Sequence, residues 1–258
     1  MKKKILAFTL CAAMLAIAVV GGTLAYFTDT DAQVNTFTSG NVAIDLFEDF
    51  GDNSGIAKLL PATGSAQAGT LKNGIEKEIF VENTGSEDAF VRVHIAIPSI
   101  LDDGDPSFDA SKNVLHWNFA KGTYGEAKWN WTATANAAGY DAKDWNSYTT
   151  TIDEISYNVY VVTYETKLAK GDVTVDAINQ VYLDSKVTNE DITRIKGELG
   201  EKWYIYVAAE GAQAEGFNNA YEALNTAFGN PSDAKYTPKF DWKTIADGKT
   251  FVDNDAQQ

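Results

Sequence analysis

The sequence predicts a mainly all-β fold, an antiparallel β-sandwich of jelly-roll-like layout with a few short helices in its connections. Three observations predict it. Apolar and polar residues alternate in run after run, and a period of two is the mark of a strand with one face on a core. The same runs are rich in β-branched and aromatic residues, which suit a pleated surface. Glycine- and alanine-rich stretches, notably 51–74 and 120–146, separate them as loops. Many strands and few helices fit two packed sheets in one domain, since such domains commonly run to about 200–250 residues.

The chain opens with Lys2, Lys3 and Lys4, then an apolar run from Ile5 to Val20, then "GGTLA". A basic start, an apolar middle and small residues before a cut describe a secretory signal peptide over residues 1–25. Cleavage between Ala25 and Tyr26 puts Thr23 and Ala25 at the two small positions. The competing reading is an uncleaved anchor, because Ile5 to Phe27 carries no charge and has the length to span a bilayer. Residues 26–258 then form the exported domain.

In "NVAIDLF", Val42, Ile44 and Leu46 share a face. "AFVRVHIAI" puts Ala89, Val91, Val93, Ile95 and Ile97 on one side and Phe90, Arg92, His94 and Ala96 on the other, which reads as a half-buried strand. "YNVYVVTYETKL" (157–168) is apolar on both sides and reads as a central strand. "VTVDAINQVYL" (173–183) and "KWYIYVAA" (202–209) complete the strand set. "TNEDITRIKGEL" reads as a helix, with Ile192, Ile195 and Leu199 on one face and Thr188 and Asp191 as a capping box. "GFNNAYEALNTAFG" has Phe217, Ala220, Tyr221, Leu224 and Phe228 on one stripe and ends at Gly229 and Pro231.

Charge and cysteine bound the function. The net charge is −15 over 258 residues, and loss of residues 1–25 takes three lysines and makes it −18. Such a chain repels nucleic acid and anionic lipid, so its only membrane contact falls before cleavage. Its one cysteine, Cys11, lies inside the apolar leader. The exported domain therefore has no disulfide, no thiol nucleophile and no thiolate zinc site.

Candidate chemistry is thin. "LLPATG" at 59–64 matches a sorting pattern, but almost 200 residues follow it, and it reads as a loop. His94 and His116 are the only histidines, and no pair stands four apart around a glutamate, as a metalloprotease helix requires. They are weak zinc candidates. Asp102, Asp103 and Asp105, with Asp109 nearby, are weak calcium candidates out of EF-hand order. The expectation is no cofactor. Trp117, Trp129, Trp131, Trp145, Tyr124, Tyr140 and Tyr148 crowd one region. On an open sheet face such rings stack on sugars; otherwise they pack the core.

"GGTLAYFTDTDAQVNTFTSGNVAIDL" (21–46) resembles the N-terminus of the TasA/camelysin family, whose members carry a SipW-type signal peptide. "IFVENTGSEDAFVRVHIAIP" (79–98) is similar to a second landmark of that family, and "YVVTYETKLAKGDVT" and "YIYVAAEGAQAEGFNNAYEALNTAF" to later ones. The resemblance implies a jelly-roll protein, cut by a dedicated signal peptidase and placed in the extracellular matrix or on a Gram-positive cell surface. TasA-like members polymerise head to tail into biofilm fibres by donating the freed N-terminal strand. Here residues 26–40 are the expected donor segment, with Tyr26, Phe27, Val34 and Phe37 as the assembly residues. The partners are then further copies of the chain and an accessory or anchoring matrix protein. Camelysin-like members are surface metalloproteases, which is the enzymatic alternative; a monomeric glycan-binding sandwich using Trp129 or Trp131 is another.

Overall fold

A computed structural model describes residues 28–31, 42–49, 59–65, 70–104, 107–118, 128–134 and 145–248. Its strands in chain order are β1 (Thr28–Asp31), β2 (Ile44–Asp49), β3 (Ile75–Glu76), β4 (Glu78–Asn83), β5 (Ala89–Pro98), β6 (Leu115–Asn118), β7 (Trp129–Asn130), β8 (Ser147–Ile152), β9 (Ile155–Tyr164), β10 (Gln180–Leu183) and β11 (Tyr206–Gln213). The helices are α1 (Asn189–Leu199), α2 (Ala220–Phe228) and α3 (Trp242–Asp247).

The named strands pair antiparallel throughout. A six-stranded sheet runs β1-β11-β5-β9-β7, with β8 also paired to β9; β3-β10-β6 and β2-β4 form two smaller sheets. The main core lies between one face of the large sheet and the small sheets. Val91, Val93, Ile95, Ile97, Val162 and Val207 meet Ile44, Ile79, Val81, Leu115 and Leu183 there, with Ile195 of α1. This is the mainly β, sandwich-like architecture that the alternation predicts.

The opposite face of the large sheet is covered as well. Ala96, Tyr157, Val159, Tyr206 and Ala208 pack on Trp242, Ile245 and Ala246 of α3. Phe90 and Ala212 pack on Ala220, Ala223, Leu224 and Phe228 of α2. β5 is therefore buried along all ten residues, and the expected half-buried strand is corrected: the face carrying Arg92 and His94 meets a helical layer, not solvent.

Other boundaries shift for local reasons. β9 is central as expected, but ends at Tyr164; Leu168 makes only an isolated bridge to Ala89. In 173–183 only Gln180–Leu183 is strand. Before it, Thr174 N–H donates to the Val81 carbonyl and Ala177 N–H to Ile79, an irregular run beside β4 with Val173 and Val175 exposed. β11 starts at Tyr206, later than the aromatic run suggests. The capping box of α1 forms as read, Thr188 with Asp191. α2 begins later than its stripe, at Ala220 after the Asn219 cap. Gly229 ends it at φ +89, a conformation that costs glycine nothing. α3 went unread, although Asp241 caps it and Gly248 follows it.

Candidate functional site

β1 holds four residues of the expected donor strand. β1 lies antiparallel on β11, Thr28 opposite Ala212 and Asp31 opposite Ala209. β11 is held on its other side by β5 along its whole length. Among the described residues β1 is thus the outermost strand at this end of the sheet. Below it, Gly211 of β11 makes room for β2: a Cβ there would sit 2.9 Å from Ile44 Cγ2. Tyr26, Phe27, Val34 and Phe37, and the junction between Ala25 and Tyr26, lie outside the described residues.

Glu210, opposite Thr30 in this register, anchors a buried polar network. Its Oε2 accepts from Arg92 Nε at 2.5 Å and lies 3.1 Å from His94 Nε2. Arg92 continues to Asn225 Oδ1 and the Gly229 carbonyl, both 3.1 Å, and to the Tyr236 hydroxyl at 3.3 Å. A guanidinium at the last carbonyls of α2 also suits the negative end of the helix dipole. Burial pushes the His94 pKa down, against the pull of Glu210. Burial works to raise that of Glu210, but His94 and Arg92 outweigh it and hold the carboxyl below its ordinary value. An ionised carboxylate only accepts, so His94 Nε2–H donates to Glu210. Neutral His94 then accepts from the Tyr148 hydroxyl at Nδ1 (3.3 Å), and Tyr148 accepts from Trp242 Nε1–H (3.2 Å). The chain of bonds runs from the sheet to α3.

This placement decides what His94 can do. Both ring nitrogens are engaged and the side chain is fully buried. His116 sits on β6 of the three-stranded sheet, 2.9 Å from Asp184 Oδ2. The two histidines are on different sheets with different carboxylates and are not brought together. A catalytic zinc takes three protein ligands. Among the described residues no three His, Cys, Asp or Glu side chains are placed to hold a metal. The residues described here do not fit a camelysin-type zinc centre.

The aspartates part company too. Asp102 is buried, accepts from Gly104 N–H (3.0 Å) and Tyr160 O–H (2.8 Å), and burial pushes its pKa up to about 7. Asp103 pairs with Lys112 at 2.6 Å. Asp109 accepts from Ser111 within its own turn, and Asp105 lies outside the described residues. The aromatic cluster belongs to the core: Trp129 and Trp131 are buried. Trp129 donates to the Val175 carbonyl, and Trp131 packs against Trp117, Trp145 and Tyr160. Tyr124 and Tyr140 lie outside the described residues. Sequence reasoning missed Glu210 and Tyr148 as partners of Arg92 and His94; a glutamate inside an apolar strand was the available signal.

Residues 1–52 match the family model described as camelysin metallo-endopeptidase. The N-terminal block is camelysin-like. The match covers the expected leader, the expected donor segment and β2, the same block that carries the resemblance to the TasA/camelysin family. No curated protein and no solved structure matches the chain. Among the described residues no helix is long and apolar enough to cross a membrane.

Proposed function

We propose that the protein is a secreted structural subunit that polymerises into extracellular matrix fibres by passing its N-terminal strand to the next copy. It is a scaffold, with no catalytic role. The observation that carries this reading is the placement of β1 at the outer edge of the large sheet, on β11. A strand in that position makes the same backbone bonds whether it comes from its own chain or from a neighbour. The choice between the two then rests on linker entropy and concentration. Head-to-tail repetition of one such contact gives a filament instead of a closed ring. With a net charge of −18 once residues 1–25 are lost, the copies repel one another, so salt or acid promotes assembly.

Negative-stain microscopy tests this on protein starting at Tyr26 beside protein starting at Asn41, across salt and pH. Fibres from the longer chain alone are expected. Monomers from both, or fibres from both, overturn strand donation. The family description favours a second reading, a surface metallo-endopeptidase. Its test is stoichiometric zinc and chelator-sensitive proteolysis by the pure protein, both lost in His116→Ala.

A further inference from the structure

We infer that β8, at the opposite end of the large sheet from β1, is a self-complementary edge that joins two copies of this chain antiparallel, β8 to β8. The inference concerns a contact separate from strand donation and does not rest on it.

β8 pairs with β9 on one side, and among the described residues no strand pairs with its other side. The direction of its backbone groups follows from one bond. Val161 N–H donates to the Asn146 carbonyl, in register with Ser147 opposite Tyr160. Antiparallel pairs alternate between bonded and non-bonded. Tyr148, Thr150 and Ile152 therefore turn their N–H and C=O groups toward β9, and Ser147, Thr149 and Thr151 turn theirs outward. Those three residues are also the exposed ones, while Ile152 is buried and Tyr148 and Thr150 are half-buried. The outward groups form a short, regular ladder half.

Proteins blunt such edges with lysine, proline, bulges or covering segments. "SYTTTI" has no charge and no proline. A second copy fits it better than any other strand. With Thr149 opposite Thr149 of the second copy, Ser147 falls opposite Thr151 on both sides of a twofold axis. Every outward N–H and C=O of the three residues is then bonded. Threonine–threonine and serine–threonine neighbours are favourable cross-strand pairs. Charge selects the same arrangement. In a chain of net charge −15, contact is least repulsive through a neutral strip. The acidic turn Asp153–Glu154 at the end of β8 is carried to opposite ends of the paired strands. The two turns then lie roughly eight residues of strand apart, about 26 Å, beyond the screening length of about 8 Å in physiological salt. A parallel pairing sets the two turns side by side.

The test uses the chain from Tyr26 to Gln258, which has no thiol of its own. In the bonded pair Thr149 meets its own copy at about 5.5 Å between Cα atoms, inside the range a disulfide accepts. T149C is expected to form a covalent dimer under mild oxidation at least tenfold faster than T151C, whose copies lie about 13 Å apart. Sedimentation of the otherwise unaltered chain shows a dimer that T149K weakens at least tenfold, with an unchanged far-ultraviolet dichroism spectrum. Equal cross-linking of T149C and T151C, or a dimer untouched by T149K, overturns the proposal. So does cross-linking only to a different protein. Fibres that form while T149C fails to cross-link sink this edge and leave strand donation standing; cross-linked pairs without fibres do the reverse.

Discussion

The two faces of β5 are the same strand with opposite solutions to burial. On the sandwich side Val91, Val93, Ile95 and Ile97 enter the core as hydrocarbon. On the helical side Arg92 and His94 are as deeply buried, at 1% and 0% exposure, and each is held by named partners. Apolar burial is non-directional and tolerates changes of shape. A bonded polar network does not. Arg92 reaches Asn225, Gly229 and Tyr236, and His94 reaches Trp242 through Tyr148. The polar face thus specifies where the C-terminal segment docks, while the apolar face supplies bulk cohesion.

The comparison breaks hardest at Glu210. Glu210→Ala leaves the Arg92 guanidinium buried without its counter-charge, and loss of one partner of a buried pair costs about 3–5 kcal/mol. Urea unfolding should show that loss; a change under 1 kcal/mol would mean that the network carries little. Gly211→Ala comes next. The added methyl meets Ile44 at 2.9 Å, and such overpacking costs about 1–3 kcal/mol. A second-site Ile44→Ala, which removes Cγ2, should cost less in the Gly211→Ala background than in the parent chain. Ile95→Val, on the apolar face, removes one methylene and costs about 1 kcal/mol. A cost equal to that of Glu210→Ala would erase the contrast between the faces.

The smallest effect at neutral pH sharpens the comparison through titration. His94 has a lowered pKa in the fold, so below about 6.5 the unfolded chain takes up the proton first and stability falls as pH falls. His94→Gln keeps a donor for Glu210 and an acceptor for Tyr148, and should flatten that slope. Asp102 runs the other way. Its folded pKa is raised to about 7, so its contribution is full below about 4 and is lost as pH rises toward 7. Asp102→Asn should remove that decline. Stability curves across pH for both variants separate the two.

Much of the β architecture was legible because alternation is local. Val91, Val93, Ile95 and Ile97 could be assigned to one face from sequence alone. What covered the other face was not legible, since α2 and α3 arrive from more than 100 positions further along. The run 173–179 shows the limit from the other side: its β-branched pattern reads as strand, yet it bonds to β4 only irregularly and Val173 and Val175 face solvent. Tertiary context overrides propensity there. His94 and His116 were visible as histidines, but not their separation onto two sheets. The Trp129 and Trp131 side chains were ambiguous until burial placed them in the core.

The register of β1 also has a history in time. Thr28–Asp31 leave the ribosome well before their partners Ala209–Ala212, which lie roughly 180 positions later. For that whole interval the leading strand has no partner within its own chain. A finished neighbour meets no such delay. Under the proposed strand donation, the order of the sequence gives another molecule the first opportunity at the strand, before the chain that carries it is able to fold it home.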